Sequence, residues 1–485
     1  MKVLFSNSYF YKLDPKQWRS RQPYPPLGTL LAAAVVRGMS HRVDLFDANL
    51  KENPIDIVPV LEKTRPDILV IYEDGFNYLT KMCLSVMREA AFVLIREGKK
   101  RGCKVVIASS DASDHYSEYL GRGADIVIRG EGEETLSALL PAMEHDLPLD
   151  SILGIAFRKG EEAIVTSQRP VIRDLDALPF PAWDLVEMNA YKSVWISNHG
   201  YFSLNLATTR GCPFKCNWCA KPIYGNRYNS RSPEKVADEI AYLLEYFQPD
   251  HFWMCDDIFG LKPGWVKRFK EVVNNRNLRF RFKIQSRVDL LLEPDAIESL
   301  KEAGAETVWV GAESGSQKIL DAMDKGTTVR QISEATQLLQ KHGIRVAYFL
   351  QFGYPGELAS DIEATLQMVL REMPDEIGIS VSYPLPGTKF YENVKAQLGD
   401  KKNWTDSDDL AMMFHNVYPT AYYKILQRYI HNRYRIQRGL MRLRQFMRRP
   451  GFYSGDFRKV SSMLIHIPIT LIQRYQLKRL SHSHA

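Results

Sequence analysis

Three cysteines fall close together in the segment Cys212-Pro213-Phe214-Lys215-Cys216-Asn217-Trp218-Cys219, in a C-x3-C-x2-C pattern. Three thiolates on so short a loop can each hold a different iron of a cubane cluster, leaving one iron open to a ligand that is not protein. A structural zinc ion would need a fourth protein ligand, and neither a C-x-x-C nor a paired histidine follows nearby. Chance grouping is the remaining reading. It is disfavoured because the triplet directly follows an apolar run, 204–209, that reads as a strand. The other three of the six cysteines carry less. Cys83 reads as helical and Cys103 lies beside a glycine turn, both as buried structural thiols, while Cys255, next to Asp256, could face the same site. The histidines are scattered and carry no pattern.

The elements that must position the triplet follow from hydrophobic periodicity. From residue 201 onward, strands are predicted near 203–208, 251–256, 279–285, 306–311, 345–351 and 376–382, with helical stretches between them, such as 233–246 and 329–342. Six strand–helix units suit a parallel barrel, complete or partial, with every strand's carboxyl end at one mouth. The triplet would then lie in that mouth. Upstream, apolar strands near 2–5, 41–46, 67–72, 104–108 and 125–128 alternate with helices, including one over Leu27–Gly38. This predicts a doubly wound parallel sheet, whose ligands bind beyond the strands' carboxyl ends. Tyr72, Asn77 and Tyr78 follow the third of these strands. Between the two units, a small hairpin (152–157 with 163–165) and a proline-rich stretch (178–183) read as a linker. The expected division is therefore a first α/β domain over 1–145, a linker over 146–200, a partial (β/α)6 barrel over 201–419, and a helical extension over 420–485.

Composition bounds the function classes. The chain has 485 residues, 45% hydrophobic and 25% charged, which excludes a disordered, collagen-like or polytopic membrane chain. The N-terminus shows no charged-then-apolar leader, and cysteines are sparse, so a cytoplasmic location is expected. The formal net charge of +7 is unevenly spread: residues 420–485 carry +13, and residues 1–419 carry −6. In that tail, 422–449 reads as one long helix, 451–456 as a break, and 463–472 as an apolar stretch locally broken by Pro468 and followed by Arg474, Lys478 and Arg479. A helical cap packed on the barrel, with a solvated basic face, is the first reading of the tail. Apolar stretches flanked by arginines also suit a helix lying on an anionic bilayer, which would give peripheral membrane contact, and nucleic acid is disfavoured.

Gly211 to Cys219 resembles the cluster-binding loop of radical S-adenosylmethionine enzymes. Later stretches are similar to that family in order: Asp256-Asp257-Ile258-Phe259, Gln285-Ser286-Arg287-Val288-Asp289, Gly311-Ala312-Glu313-Ser314-Gly315-Ser316, Gly353-Tyr354-Pro355-Gly356-Glu357 and Pro384-Leu385-Pro386-Gly387-Thr388. The resemblance implies a [4Fe-4S] cluster on Cys212, Cys216 and Cys219, with S-adenosylmethionine chelated to the open iron. One-electron cleavage would then give a 5′-deoxyadenosyl radical able to take hydrogen from an unactivated carbon. It places Trp218 near the adenine, and Asp257, Arg287, Glu313, Ser314 and Gly353 around the rest of that cofactor. An external one-electron reductant such as a flavodoxin or ferredoxin is implied as well.

The N-terminal part resembles the cobalamin-binding branch of that family, with a Rossmann-type domain. The matching stretches are Pro25-Pro26-Leu27-Gly28-Thr29, Val43 to Asn49, and Arg129-Gly130-Glu131-Gly132-Glu133. This implies cobalamin contacts at Gly28, Ser109, Ser110, Gly130, Glu131, Gly132 and Glu133. Two departures stand out. The Asp-x-His-x-x-Gly signature that supplies a histidine to cobalt is absent, and Ser109-Ser110-Asp111 replaces the Gly-Gly-Pro frequent in the branch. Cobalamin is thus expected without a histidine ligand. The expected reaction is methylation of an unactivated carbon in a small-molecule, lipid or pigment substrate, with no residue assigned as catalytic. The alternatives are a ring-forming or oxidative reaction like that of the anaerobic tetrapyrrole cyclases, and a non-catalytic redox sensor. Methylthiolation of tRNA would need three further cluster cysteines near the N-terminus, which are not there.

Overall fold

The computed structural model describes residues 1–73, 75–76, 84–219, 221, 223–400, 403–448 and 454–482. Its first sheet has the order β2-β1-β3-β4-β5-β6-β7. The first five strands, β1 (Lys2–Ser6), β2 (Arg42–Phe46), β3 (Ile68–Tyr72), β4 (Lys104–Ala108) and β5 (Ile126–Ile128), are parallel. β3 is buried at every position because helices cover both faces, whereas the edge strand β2 is buried only at Phe46. The order reverses between β1 and β3, so the ligand crevice of this sheet opens beyond their carboxyl ends. The last two strands, β6 (Ile155–Lys159) and β7 (Glu162–Val165), are antiparallel. They form the hairpin read above as part of a linker. Here it is the sheet's outer edge, with Val127 opposite Ala156.

The second sheet is a six-stranded parallel half-barrel in the order β15-β14-β13-β12-β11-β8. Its strands are β8 (Ser203–Leu206), β11 (His251–Met254), β12 (Arg281–Ser286), β13 (Ala305–Glu313), β14 (Arg345–Phe352) and β15 (Glu376–Val381). Each pairs with its sequence neighbour, as right-handed strand–helix units dictate. Between β8 and β11, β9 (Thr209–Arg210) and β10 (Asn229–Ser230) form a short antiparallel ribbon that brackets residues 211–228.

Each face of the first sheet has an apolar core of its own, and the two units meet along an apolar seam. Tyr9, Leu27 and Leu30 of the first unit join Leu204 and Leu206 of the barrel, with Trp183 and Trp195 wedged between them. Each tryptophan's polar end is satisfied: Trp183 Nε1 donates to Glu239 (3.1 Å) and Trp195 Nε1 to the Pro23 carbonyl (2.7 Å). The 183–199 segment therefore acts as packing material rather than as a free connector.

The tail is two antiparallel helices, Thr420–Arg448 and Ser454–His482, joined by a buried Asn432–Gln473 hydrogen bond of 3.1 Å. The first covers the open β15 edge. Tyr422, Tyr423, Leu426, Tyr429 and Ile430 are buried there, and Gln427 Nε2 donates to the Ile379 carbonyl. The second runs through Pro468 without a break, contrary to the expectation above. Proline in a helix interior costs about 3 kcal/mol, which burial of Met463, Thr470 and Leu477 offsets.

Candidate active site

The cysteine loop leaves the ribbon at Gly211, whose φ of +78° and tight surroundings require glycine: a Cβ there would sit 2.3 Å from the Arg227 carbonyl oxygen. Asn217 fixes the loop's middle. Its backbone N–H donates to the Met323 carbonyl (3.0 Å), its side-chain amide to the Ala322 carbonyl (2.6 Å), and its Oδ1 accepts from the Tyr354 hydroxyl (2.8 Å). Phe390 N–H donates to the Asn217 carbonyl at 2.9 Å. One residue of the loop is thus tied to the ends of three barrel units. None of the three cysteines is in a disulfide, and all are only partly buried. Among the described residues no group of His, Cys, Asp or Glu converges on a single ion, whereas a cubane asks each thiolate to meet a different iron. Burial pushes the Cys212 thiol up, so a positive ligand would be needed to hold it as thiolate.

Cations gather around this loop. Arg287, at the end of β12, is buried, stacks 3.7 Å from the Phe214 ring centroid, and places Nη1 3.9 Å from Cys216 Sγ. The same Nη1 donates to the Lys325 carbonyl at 2.9 Å, and Asp289 holds the other side of the guanidinium. Lys325 is buried and its ammonium bonds Glu313 Oε1 at 2.9 Å, a partnership that raises its pKa against the effect of burial. Glu313 itself sits at a register shift in β13 with φ of +56°, an uncommon conformation for a residue with a side chain. The indole N–H of Trp218 is buried with no partner among the described residues, an orphan donor beside the thiols.

The structure distributes the sequence-predicted residues as follows. Arg287 touches the cysteine loop directly, and Glu313 comes to it through Lys325. Ser314 lies next to them, its hydroxyl 3.1 Å from Thr365 Oγ1. Gly353, with φ of +74°, ends β14, and its N–H donates to Glu357 Oε2 at 2.6 Å. Asp257 is exposed at the end of β11, while Asp256 beside it is buried and accepts from the Thr208 and Thr209 N–H groups (2.7 and 2.8 Å). Burial lifts the Asp256 carboxyl to about 6. Cys255 is buried with its thiol on the Leu206 carbonyl, so it does not line the mouth; Cys103 is buried on the Pro66 carbonyl. Cys83, Asn77 and Tyr78 lie outside the described residues.

In the first unit, Ser109 and Ser110 are buried at the end of β4, where Ser109 Oγ caps the next helix by accepting from Ala112 N–H (2.8 Å). Gly28 is buried in the first turn of Leu27–Gly38. Gly130 has φ of +92°, and Gly132 lies so close to Tyr72 that a Cβ would meet the ring at 2.5 Å. Glu131 and Glu133 have a role not legible in the sequence. Both carboxylates grip the buried guanidinium of Arg210, Glu133 at 2.7 Å, and Glu131 also accepts from Ile172 N–H at 2.5 Å. Arg210 immediately precedes the cysteine loop, so the Gly-Glu-Gly-Glu turn is bolted to the barrel. A small cleft lies at Arg210, lined also by Leu27, Leu31, Phe76, Arg231 and Glu239, and the cysteines do not line it. Sequence reasoning missed Arg210 and Lys325. The only available signals were their adjacency to Gly211-Cys212 and to Gly326.

Comparison with known proteins accords with this arrangement. Residues 206–369 match the Radical SAM superfamily. An uncharacterized methyltransferase of Pyrococcus horikoshii is 28% identical over 374 residues, 76% of this chain and 78% of that protein. The anaerobic magnesium-protoporphyrin IX monomethyl ester cyclase of Synechocystis sp. is 27% identical, covering 76% of this chain and 73% of its own. The hopanoid C-3 methylase of Methylococcus capsulatus is 26% identical, with 77% and 69% covered. In fold, the chain is similar to the cobalamin-dependent S-adenosylmethionine radical enzyme OxsB with aqua-cobalamin bound, at a TM-score of 0.74 and 17% identity over 98% of this chain and 72% of that one. The radical S-adenosylmethionine methyltransferase TsrM of Kitasatospora setae, with cobalamin and a [4Fe-4S] cluster bound, gives a TM-score of 0.67 at 18% identity, with 82% and 78% covered. With its cysteine loop in the mouth of a six-stranded half-barrel behind a doubly wound domain, the chain carries a segment of the Radical SAM superfamily over residues 206–369 and is similar to methyltransferases and to anaerobic magnesium-protoporphyrin cyclases.

Proposed function

We propose that the chain methylates an unactivated carbon of a small-molecule, lipid or pigment substrate, using a [4Fe-4S] cluster, S-adenosylmethionine and cobalamin. The observation that carries this reading is the pairing of two features: three clustered thiols on a loop pinned by Asn217, and a doubly wound domain locked to that loop through Arg210. When bound, these groups supply a radical that removes hydrogen from carbon and a transferable methyl group. The chain's own residues do the positioning. Cys212, Cys216 and Cys219 would hold three irons, and Arg287 and Lys325 offset their negative charge. The orphan Trp218 N–H and the Glu313–Lys325 pair flank the place where S-adenosylmethionine would lie. Cobalamin would occupy the crevice at the ends of β1, β3 and β4, with no histidine on cobalt.

The partly exposed cysteine loop, with Lys215 exposed on it, suits docking of an acidic one-electron donor such as a flavodoxin. Cyclisation is the second reading, favoured by the likeness to the Synechocystis cyclase over three quarters of this chain.

Anaerobic, reduced, reconstituted protein is expected to release 5′-deoxyadenosine from S-adenosylmethionine, and Cys→Ala variants at 212, 216 or 219 to lose both this and the cluster's visible absorption. Neither cleavage nor transfer of labelled methyl would leave only a redox-sensing role. Electron paramagnetic resonance of the cobalt(II) form should lack nitrogen splitting; a nitrogen triplet would refute the absence of an axial nitrogen.

A further inference from the structure

The Ser454–His482 helix is apolar on two sides, and the chain covers only one of them. Met463, Thr470, Gln473 and Leu477 are buried on the inner side. At about 100° per residue, Leu464, Leu471 and Tyr475 fall on the opposite side, and they are 63%, 64% and 70% exposed. Ile465 and Ile472 widen this face, at 62% and 60% exposed. A helix that is apolar all round is normally enclosed, and a contiguous exposed apolar strip marks a contact surface.

The charges bordering the strip say what covers it. Lys478 and Arg479 are exposed one to two turns further along the same face, and Arg474 stands on its flank. No acidic residue occurs after Asp456. A second copy of the chain laid on this face would bring two such helices together with no carboxylate to answer the bases. A layer that is apolar below and anionic at its rim answers both parts of the surface. No described helix is long and apolar enough to cross a membrane, so the helix would lie along the interface.

We infer that the outer face of the Ser454–His482 helix docks the protein on the surface of an anionic lipid bilayer, with Leu464, Leu471 and Tyr475 inserted among the acyl chains and Arg474, Lys478 and Arg479 on the headgroups. The inference does not rest on the catalytic reading, because its readout needs no turnover. The antiparallel pairing through Asn432 and Gln473 carries the helix's end back along the β15 edge toward the residues near Gly353. A docked molecule therefore presents the flank of the barrel to the lipid.

The test uses the full chain and vesicles of phosphatidylglycerol with phosphatidylcholine, against phosphatidylcholine alone. Cosedimentation is expected with the anionic vesicles at low salt, weakened but not abolished at high salt, because the apolar term is insensitive to screening. Leu471→Glu/Tyr475→Glu and Arg474→Gln/Lys478→Gln/Arg479→Gln should each lower the bound fraction by roughly ten-fold or more. All five side chains lie outside the buried face, so circular dichroism melting should match the parent and exclude misfolding as the cause. Four results would overturn the inference. The parent could fail to sediment with anionic vesicles, or the variants could bind as the parent does. Alternatively, Leu471→Glu/Tyr475→Glu could convert a dimer to monomers with no vesicle binding, which would assign the face to a second copy. Tail-dependent binding of RNA without vesicle binding would equally displace the lipid assignment.

Discussion

Arg210 shows how much one side chain decides here. It is enclosed by Glu131 and Glu133 from the other unit and lies over the Tyr224 ring, 5.3 Å from its centroid. Arg210→Met would strand two buried carboxylates, and we expect it to lower stability in urea unfolding by about 3–5 kcal/mol. Adding Glu131→Gln and Glu133→Gln should recover more than half of that loss; no recovery would mean that the ion triad is not the cause. Glu357 offers a second test. Burial lifts its carboxyl to about 8, with Asp361 adding to the rise while the Gly353 N–H and Lys318 oppose it. An unfolded glutamate titrates near 4.3, so between about pH 4.3 and 8 the folded chain keeps a proton that the unfolded chain has released. Stability therefore falls as pH rises through that window, by up to about 1.4 kcal/mol per unit. Glu357→Gln removes the effect: its melting temperature should match the parent's near pH 4.5 and exceed it at pH 8, and parallel curves would contradict the assignment. The cysteine triplet was legible from sequence because its information is local. Arg210 was not, since its partners lie 77 and 79 positions away.

At the level of elements, strand positions in both sheets were readable, because apolar runs bounded by turn residues report burial directly. Pairing was not. The 152–165 hairpin announces itself in sequence, yet nothing local says that it will extend β5 rather than stand free, and its register is set by contacts of Val127 and Ile128. Pro468 misled in the other direction: its local preference for a break is outweighed by the packing of its neighbours. The cysteine loop depends on its entry geometry as much as on its thiols. Gly211→Ala would place a methyl group 2.3 Å from the Arg227 carbonyl oxygen on a backbone of positive φ. We expect that variant to fold with all three thiols titratable, yet to take up markedly less iron on reconstitution; parent-like iron content would show that the loop tolerates rebuilding.

Across the whole molecule, the sequence reading separated units that the fold fuses. The signal was present as Trp183 and Trp195 in a supposed linker, large apolar side chains that a solvated connector does not need. Further ties run the same way. Asp14 accepts from Ser407 (2.6 Å), Arg88 bonds Asn403 (3.2 Å), and Asn205 of β8 donates to the Pro25 carbonyl (2.9 Å). The tail is part of this body too, since a chain ending near Pro419 would lose the buried Tyr423, Leu426 and Ile430 and leave the β15 edge open.

The apolar seam between the units has a thermodynamic corollary. A chain of this length would ordinarily unfold in stages, domain by domain. Here the first unit cannot leave without exposing Leu204 and Leu206 of the barrel together with Trp183 and Trp195, so scanning calorimetry should record a single peak whose van't Hoff and calorimetric enthalpies agree. Two resolved peaks would show that the halves melt separately. A body that melts as one also does not open like a book: exchange of cofactors and product then has to proceed through the mouth, by motion of loops rather than of halves.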